Sequence, residues 1–159
     1  MNQDKQLLGA AGEHLVLSRL LTLGYLAAPA PRGTRKADVL VNPLDNKRPW
    51  LIQVKTTLRT DGRAKWHMKE KHEEISDDDM FYCFVDLDYT DSKVFVIPAK
   101  KVAKVIKASH KAWLNSPGKN GQAHNDTVMR WITSTYTVKT PGVETGWMDK
   151  YLEKWELLG

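Results

Sequence analysis

Asp38, Gln53 and Lys55 are the residues of this chain whose types and spacing suggest chemistry. Asp38 lies in the run Ala37-Asp38-Val39-Leu40-Val41. Fourteen residues separate it from Gln53, which lies in Trp50-Leu51-Ile52-Gln53-Val54-Lys55. Both runs read as strands, and side chains alternate faces along a strand. Gln53 and Lys55 therefore share a face, while Ile52 and Val54 fill the other. Asp38 is likewise the polar residue between Ala37 and Val39. If the two polar faces meet, a carboxylate, an amide oxygen and an ammonium converge. The two oxygens suit a hard cation such as Mg²⁺, and the ammonium suits a phosphate. Such a group could hydrolyse a phosphodiester. Read singly, each residue also fits the wet face of an amphipathic edge strand; the joint pattern carries the reading.

Glu13 is the next candidate. At about 100° per residue it projects between Val16, Leu17 and Leu20 on a first helix. A carboxylate in an apolar sector is costly to bury unless something pairs with it. Lys55 or a cation would do so; the plain alternative is a glutamate at the helix edge, reaching solvent.

The elements that must hold these residues can be read along the chain. Residues 5–23 predict a helix stopped by Gly24. A short strand follows over 25–30, then a hairpin whose turn is Asn42-Pro43-Leu44-Asp45-Asn46. The basic stretch after Lys55 predicts a short helix around Trp66 to Glu74. Residues 81–87 and 94–97 predict strands. Pro98 suits the first turn of a helix running to Leu114. Residues 120–126 read as a loop, and 128–132 and 135–138 as strands. Trp147, Tyr151, Trp155 and Leu158 follow helical spacing, so a C-terminal helix is expected to dock on the core. The expectation is one domain over residues 1–159, of α/β class, with a central mixed sheet flanked by helices.

Composition narrows the function classes. The chain has 159 residues, 42% apolar and 27% charged, ordinary for a globular domain. No apolar run nears the roughly 20 residues of a membrane helix. The opening Met-Asn-Gln-Asp-Lys lacks a secretory pattern. The lone Cys83 excludes an internal disulfide framework and reads as a buried structural thiol. A cytoplasmic location and no membrane partner are expected. The net charge of +5 is unevenly spread: residues 92–125 hold seven lysines and no acid. Lys100, Lys104, Lys107 and Lys111 form one helical stripe opposite Val102, Val105, Ile106 and Trp113. That stripe, with Arg59, Arg63 and Lys65, is the expected contact for a polyanion. His67 and His72 read as surface residues or phosphate contacts.

This order of residues and elements resembles the PD-(D/E)XK nuclease superfamily, the fold of many restriction endonucleases. The resemblance spans roughly Lys5 to Leu114. It rests on Glu13 in the first helix, Gly24-Tyr25 before the first strand, Asp38 on the second and Gln53-Val54-Lys55 on the third. Gln53-Val54-Lys55-Thr56 resembles the Q-x-K variant of some restriction and homing enzymes. Ala37 stands where the family name has Pro, and Gln53 replaces the usual acid, removing one negative charge. The resemblance implies a restriction-endonuclease-like fold and an Mg²⁺-dependent DNA endonuclease, with Mn²⁺ as a substitute. Asp38, the Gln53 side chain and the Val54 carbonyl would bind the cation, with Glu13 holding a water or a second ion. Lys55 would orient the attacking water or stabilise charge on the phosphate. Many such enzymes act as dimers, so a homodimer is among the expected states. The alternative is a nucleic-acid-binding module of the same fold with weak or absent catalysis, a reading that the neutral Gln53 favours.

Overall fold

The computed structural model describes residues 4–34, 36–42, 48–58 and 64–159. Helix α1 (Lys5–Thr22) starts at Asp4, whose side chain accepts a hydrogen bond from the Gln6 N–H at 2.8 Å. It ends where Gly24 turns left-handed at φ 88°. The Gly24 and Tyr25 N–H groups then bond back to the carbonyls of Leu21 and Leu20, closing the helix end.

Strands β1 (Leu26–Pro29), β2 (Val39–Asn42) and β3 (Trp50–Leu58) follow. The chain next makes β4 (Lys65–Lys69) and a 3₁₀ turn over Glu70–Glu74, then β5 (Met80–Leu87) and β6 (Lys93–Pro98). Five of these strands form one sheet, in the order β1-β2-β3-β5-β6. The β3–β5 pair is parallel and the other pairs are antiparallel, so the sheet is mixed as expected. Helix α2 (Ala99–Leu114) leaves β6 directly after Pro98. Strand β7 (Met129–Thr133) pairs with β4 as a separate two-stranded ribbon.

Two apolar cores sandwich the sheet. On one face Val16 and Leu20 of α1 meet Val39, Val41, Ile52, Val54 and Cys83. On the other, Val102 and Ile106 of α2 and Trp66, Met68 and Ile132 of the ribbon meet Met80, Tyr82, Phe84 and Ile97. Strand β5 is buried on both faces, which is why its sequence is a nearly unbroken apolar run. Cys83 lies fully inside it, and burial pushes its thiol pKa up. No helix among the described residues is long and apolar enough to cross a membrane.

Three expected elements differ. The helix expected over Trp66 to Glu74 is strand β4 followed by the 3₁₀ turn. Trp66 and Met68 are buried while Lys65, His67 and Lys69 are exposed, a period of two. The C-terminal helix is replaced by 3₁₀ turns over Asp149–Tyr151 and Trp155–Leu158. Between them, Glu153 takes a left-handed backbone at φ 49°. Its N–H donates to the Val94 carbonyl at 2.8 Å, and its carboxylate accepts from the Val94 N–H at 3.1 Å. Bonding to the β6 edge thus outcompetes helix continuation, and it covers that edge. Trp147, Trp155 and Leu158 are buried, so the expected docking residues do dock. The strand expected over residues 135–138 is not formed; bends occupy that segment.

Candidate active site

The site is built where β2 parts from β3. Lys36 adopts a left-handed backbone at φ 68°, and the chain enters β2 only at Val39. Asp38 is pinned first by its main chain: its N–H donates to the Ile52 carbonyl, and its carbonyl accepts from the Ala30 N–H, both at 2.8 Å. Its carboxylate then takes over a ladder position. Asp38 Oδ2 accepts the Val54 N–H at 2.7 Å. In a strand, a residue's N–H and carbonyl face the same neighbour. The Val54 carbonyl is therefore also turned toward the gap beyond the start of β2.

Strand parity places the other groups. Val39 pairs with Ile52 in register, and both pack in the α1-side core. Asp38 and Gln53, one step along each strand, therefore face the opposite side of the sheet. Gln53 and Lys55 pair with Tyr82 and Phe84, which belong to that opposite core. Gln53 Oε1 is buried and has no hydrogen-bond partner among the described residues. An orphaned buried amide oxygen is costly, and its place beside a carboxylate invites a cation.

Lys55 and Glu13 each feel the Asp38 carboxylate. Burial lowers the pKa of Lys55, the Asp38 carboxylate opposes this, and Lys71 and Lys69 lower it further. Glu13 is mostly exposed, yet its pKa is raised by the burial it has and by the Asp38 carboxylate, with His14 opposing. Glu13 comes from α1, which packs on the face opposite Gln53 and Lys55 and lies unusually close to β3. A Cβ at Gly12 would fall 1.8 Å from Thr56 Oγ1. The sequence assigns no role to Gly12, because a glycine inside a helix signals nothing until its neighbour is known.

His72 is a correction. It is buried, not a surface histidine, and its Nδ1 lies 2.7 Å from the Tyr82 hydroxyl. Burial, then Lys55, Lys71 and Lys69, push its pKa down to about 4. It is thus a neutral wall behind Lys55. Lys69 at the end of β4 and Lys71 in the 3₁₀ turn bring positive charge toward Lys55, and alternation along β4 could have suggested the first of them.

The groups that could hold a cation are two carboxylates, one amide oxygen and one main-chain carbonyl. Among the described residues no three His, Cys, Asp or Glu side chains cluster as a metal site. The donor set is nevertheless all oxygen, which suits Mg²⁺ or Mn²⁺ rather than zinc, and the orphaned Gln53 oxygen fits that use.

The outer basic residues are less uniform than the sequence suggested. Lys100 pairs with Asp78 at 2.5 Å and Lys107 with Glu74 at 3.6 Å. Lys104 and Lys111 are exposed. Lys65 lies 3.7 Å over the Trp131 ring, and His67 packs on the same ring. Arg59 and Arg63 lie outside the described residues.

The chain is similar over nearly its whole length to a solved structure, that of the bacterial homing endonuclease I-Ssp6803I. It aligns with a TM-score of 0.56 at 16% identity, covering 98% of this chain and 91% of that one. The likeness is one of fold. No protein-family model matches the sequence, and no curated protein matches it.

Proposed function

We propose that this protein is a divalent-cation-dependent DNA endonuclease of the PD-(D/E)XK type, with Gln53 in the position of the usual acid. The observation that carries the reading is the convergence of Asp38, Gln53 and Lys55 on one face at the mouth of β2 and β3, with the Gln53 oxygen buried and unpartnered. The fold shared with a homing endonuclease supports it.

The residues divide the work. Asp38 uses Oδ2 to hold the Val54 N–H, which leaves Oδ1 for a cation. Gln53 Oε1 and the Val54 carbonyl complete the inner donors, and Glu13 adds charge from α1. When bound, Mg²⁺ would polarise the phosphate and make an attacking hydroxide accessible near neutral pH. Lys55 then orients the nucleophile or neutralises charge developing on the phosphoryl oxygens. Lys69 and Lys71 attract the backbone electrostatically. Cutting both strands of a duplex would use two copies of the chain.

The test is incubation with supercoiled, linear and branched DNA in Mg²⁺ or Mn²⁺. Strand breaks that appear with the cation and vanish in chelator are expected. Undiminished cleavage in excess chelator would overturn the reading. The second reading, a binding module, rests on the neutral Gln53, which weakens the cation site. DNA binding without cleavage in either cation would favour it.

A further inference from the structure

One cavity lies away from the carboxylates. It encloses about 660 Å³ between the end of β3, the ribbon and the C-terminal end of α2. That volume is typical of small-molecule sites, which span about 300–1,000 Å³. Trp113, Trp131 and Tyr136 furnish aromatic walls, Thr57 lies at its sheet edge, and Lys65 and His110 also line it.

Three features define what would fit. First, the aromatic residues are only half-buried, whereas Arg130 and Ile132 beside Trp131 are buried. Trp113 and Trp131 line the cavity outside the core cluster, while Tyr136 lines it and also packs against the core. They are also held in place: the Tyr136 hydroxyl donates to the Trp131 carbonyl at 3.2 Å, and Trp113 stacks on His124 at 4.1 Å.

Second, the charges deep in the wall are already committed. Arg130 bonds to Glu73 and to the Thr127 carbonyl, and His110 lies 2.8 Å from Asp126. The interior thus offers aromatic rings and hydroxyls rather than, among the described residues, unpaired cations; Lys65 and His67 already cover part of the Trp131 ring, and His124 stacks on Trp113. This interior suits a planar, polar, uncharged ring better than a phosphate. The exposed Lys65 stands where the phosphate attached to such a ring would emerge.

Third, the cavity adjoins the candidate active site. Thr57 is two residues beyond Lys55 on the same face of β3, about 6.6 Å along the strand. Stacked DNA rises about 3.4 Å per nucleotide in each strand.

We propose that this cavity takes one unpaired nucleobase of a single-stranded DNA segment, about two nucleotides from the phosphate at Lys55. The proposal rests on the nuclease reading above. It makes the preferred substrate one with an unpaired base beside the cut.

The test compares two single-stranded polymers of equal length in chelator, so that neither is cut. One carries bases; the other is abasic throughout. Affinity is read by anisotropy. Base–aromatic stacking predicts that the base-bearing polymer binds about 5- to 150-fold more tightly, and that Trp113→Ala and Trp131→Ala each reduce this preference. Equal affinity of the wild type for both polymers overturns the pocket and leaves the nuclease reading standing; this arm needs no variant to fold. A preference that both variants retain also overturns it. Binding of neither polymer also overturns the pocket, and the nuclease reading is then judged by the cleavage assay alone.

Discussion

Asp38 does two things at once, and they can be separated. One oxygen holds the Val54 N–H; the other is available to a cation. Asp38→Asn can still accept that hydrogen bond but lacks the charge. It should keep the stability of the wild type and lose cleavage. Asp38→Ala should lose cleavage and also about 1–3 kcal/mol of stability, because the Val54 N–H is left unsatisfied. Denaturant melts of the two variants check this; equal stabilities would mean that the bond to Val54 matters little. Gln53→Glu restores a negative donor and should tighten Mg²⁺ binding in titration calorimetry. An unchanged affinity would remove Gln53 from the donor set. The pH dependence has a definite sign. Protons compete with cations for a carboxylate, and the Glu13 pKa is raised. Cation affinity should therefore fall with decreasing pH earlier than for an ordinary glutamate, and Glu13→Gln should abolish that part of the dependence. At this scale the sequence is informative where strand parity applies. Asp38, Gln53 and Lys55 share one face of the sheet, as alternation requires. The burial of His72 is not legible, because a 3₁₀ turn following a strand has no periodicity that reveals which side faces the core.

At the scale of elements, the approach of α1 to β3 decides whether Glu13 can serve the site. Gly12→Ala would drive a methyl into Thr56 Oγ1. Overpacking of this kind costs about 1–3 kcal/mol. The variant should be less stable and should bind cation more weakly, since α1 must shift. Thr56→Ala in the same chain removes the nearest atom and should recover part of both effects; no recovery would place the fault elsewhere. The 3₁₀ turn behind β5 gives a second prediction. The folded His72 has a pKa of about 4 against an ordinary 6.5. As pH falls, the unfolded chain takes up this proton first. Stability is thus complete above 6.5 and is lost progressively toward about 4, on the order of 3 kcal/mol in all. Comparing wild type with His72→Gln in melts from about pH 4 to 8 isolates this contribution; parallel curves would contradict it. Elements with a clear pattern are legible in the sequence: α1, the hairpin and α2 by their periods, and β5 by its unbroken apolar run. The C-terminal segment is not. Its aromatic spacing fits a helix, but the decisive force is the unpaired β6 edge, which lies far away in sequence.

For the whole molecule, charge distribution sets how DNA would be held. The lysine-rich segment folds beside acids from residues 74–78, so Lys100 and Lys107 are partly neutralised. Exposed pairs like these are weak, worth about 0–1 kcal/mol, and a phosphate can compete for them. Lys104 and Lys111 should contribute more. Replacing both by Gln should lower the slope of log affinity against log salt by about 0.9 for each phosphate that is no longer neutralised. The same double change at Lys100 and Lys107 should lower it less. Equal slopes in both variants and wild type would assign the stripe to solvent and move the DNA path to Lys65, Lys69 and Lys71. The most direct test of the central claim is plasmid cleavage in Mg²⁺ by the wild type and by Lys55→Ala, with DNA binding measured on the same samples. Wild type should cut, and Lys55→Ala should bind with nearly wild-type affinity and fail to cut. Cleavage by Lys55→Ala at the wild-type rate would contradict the account.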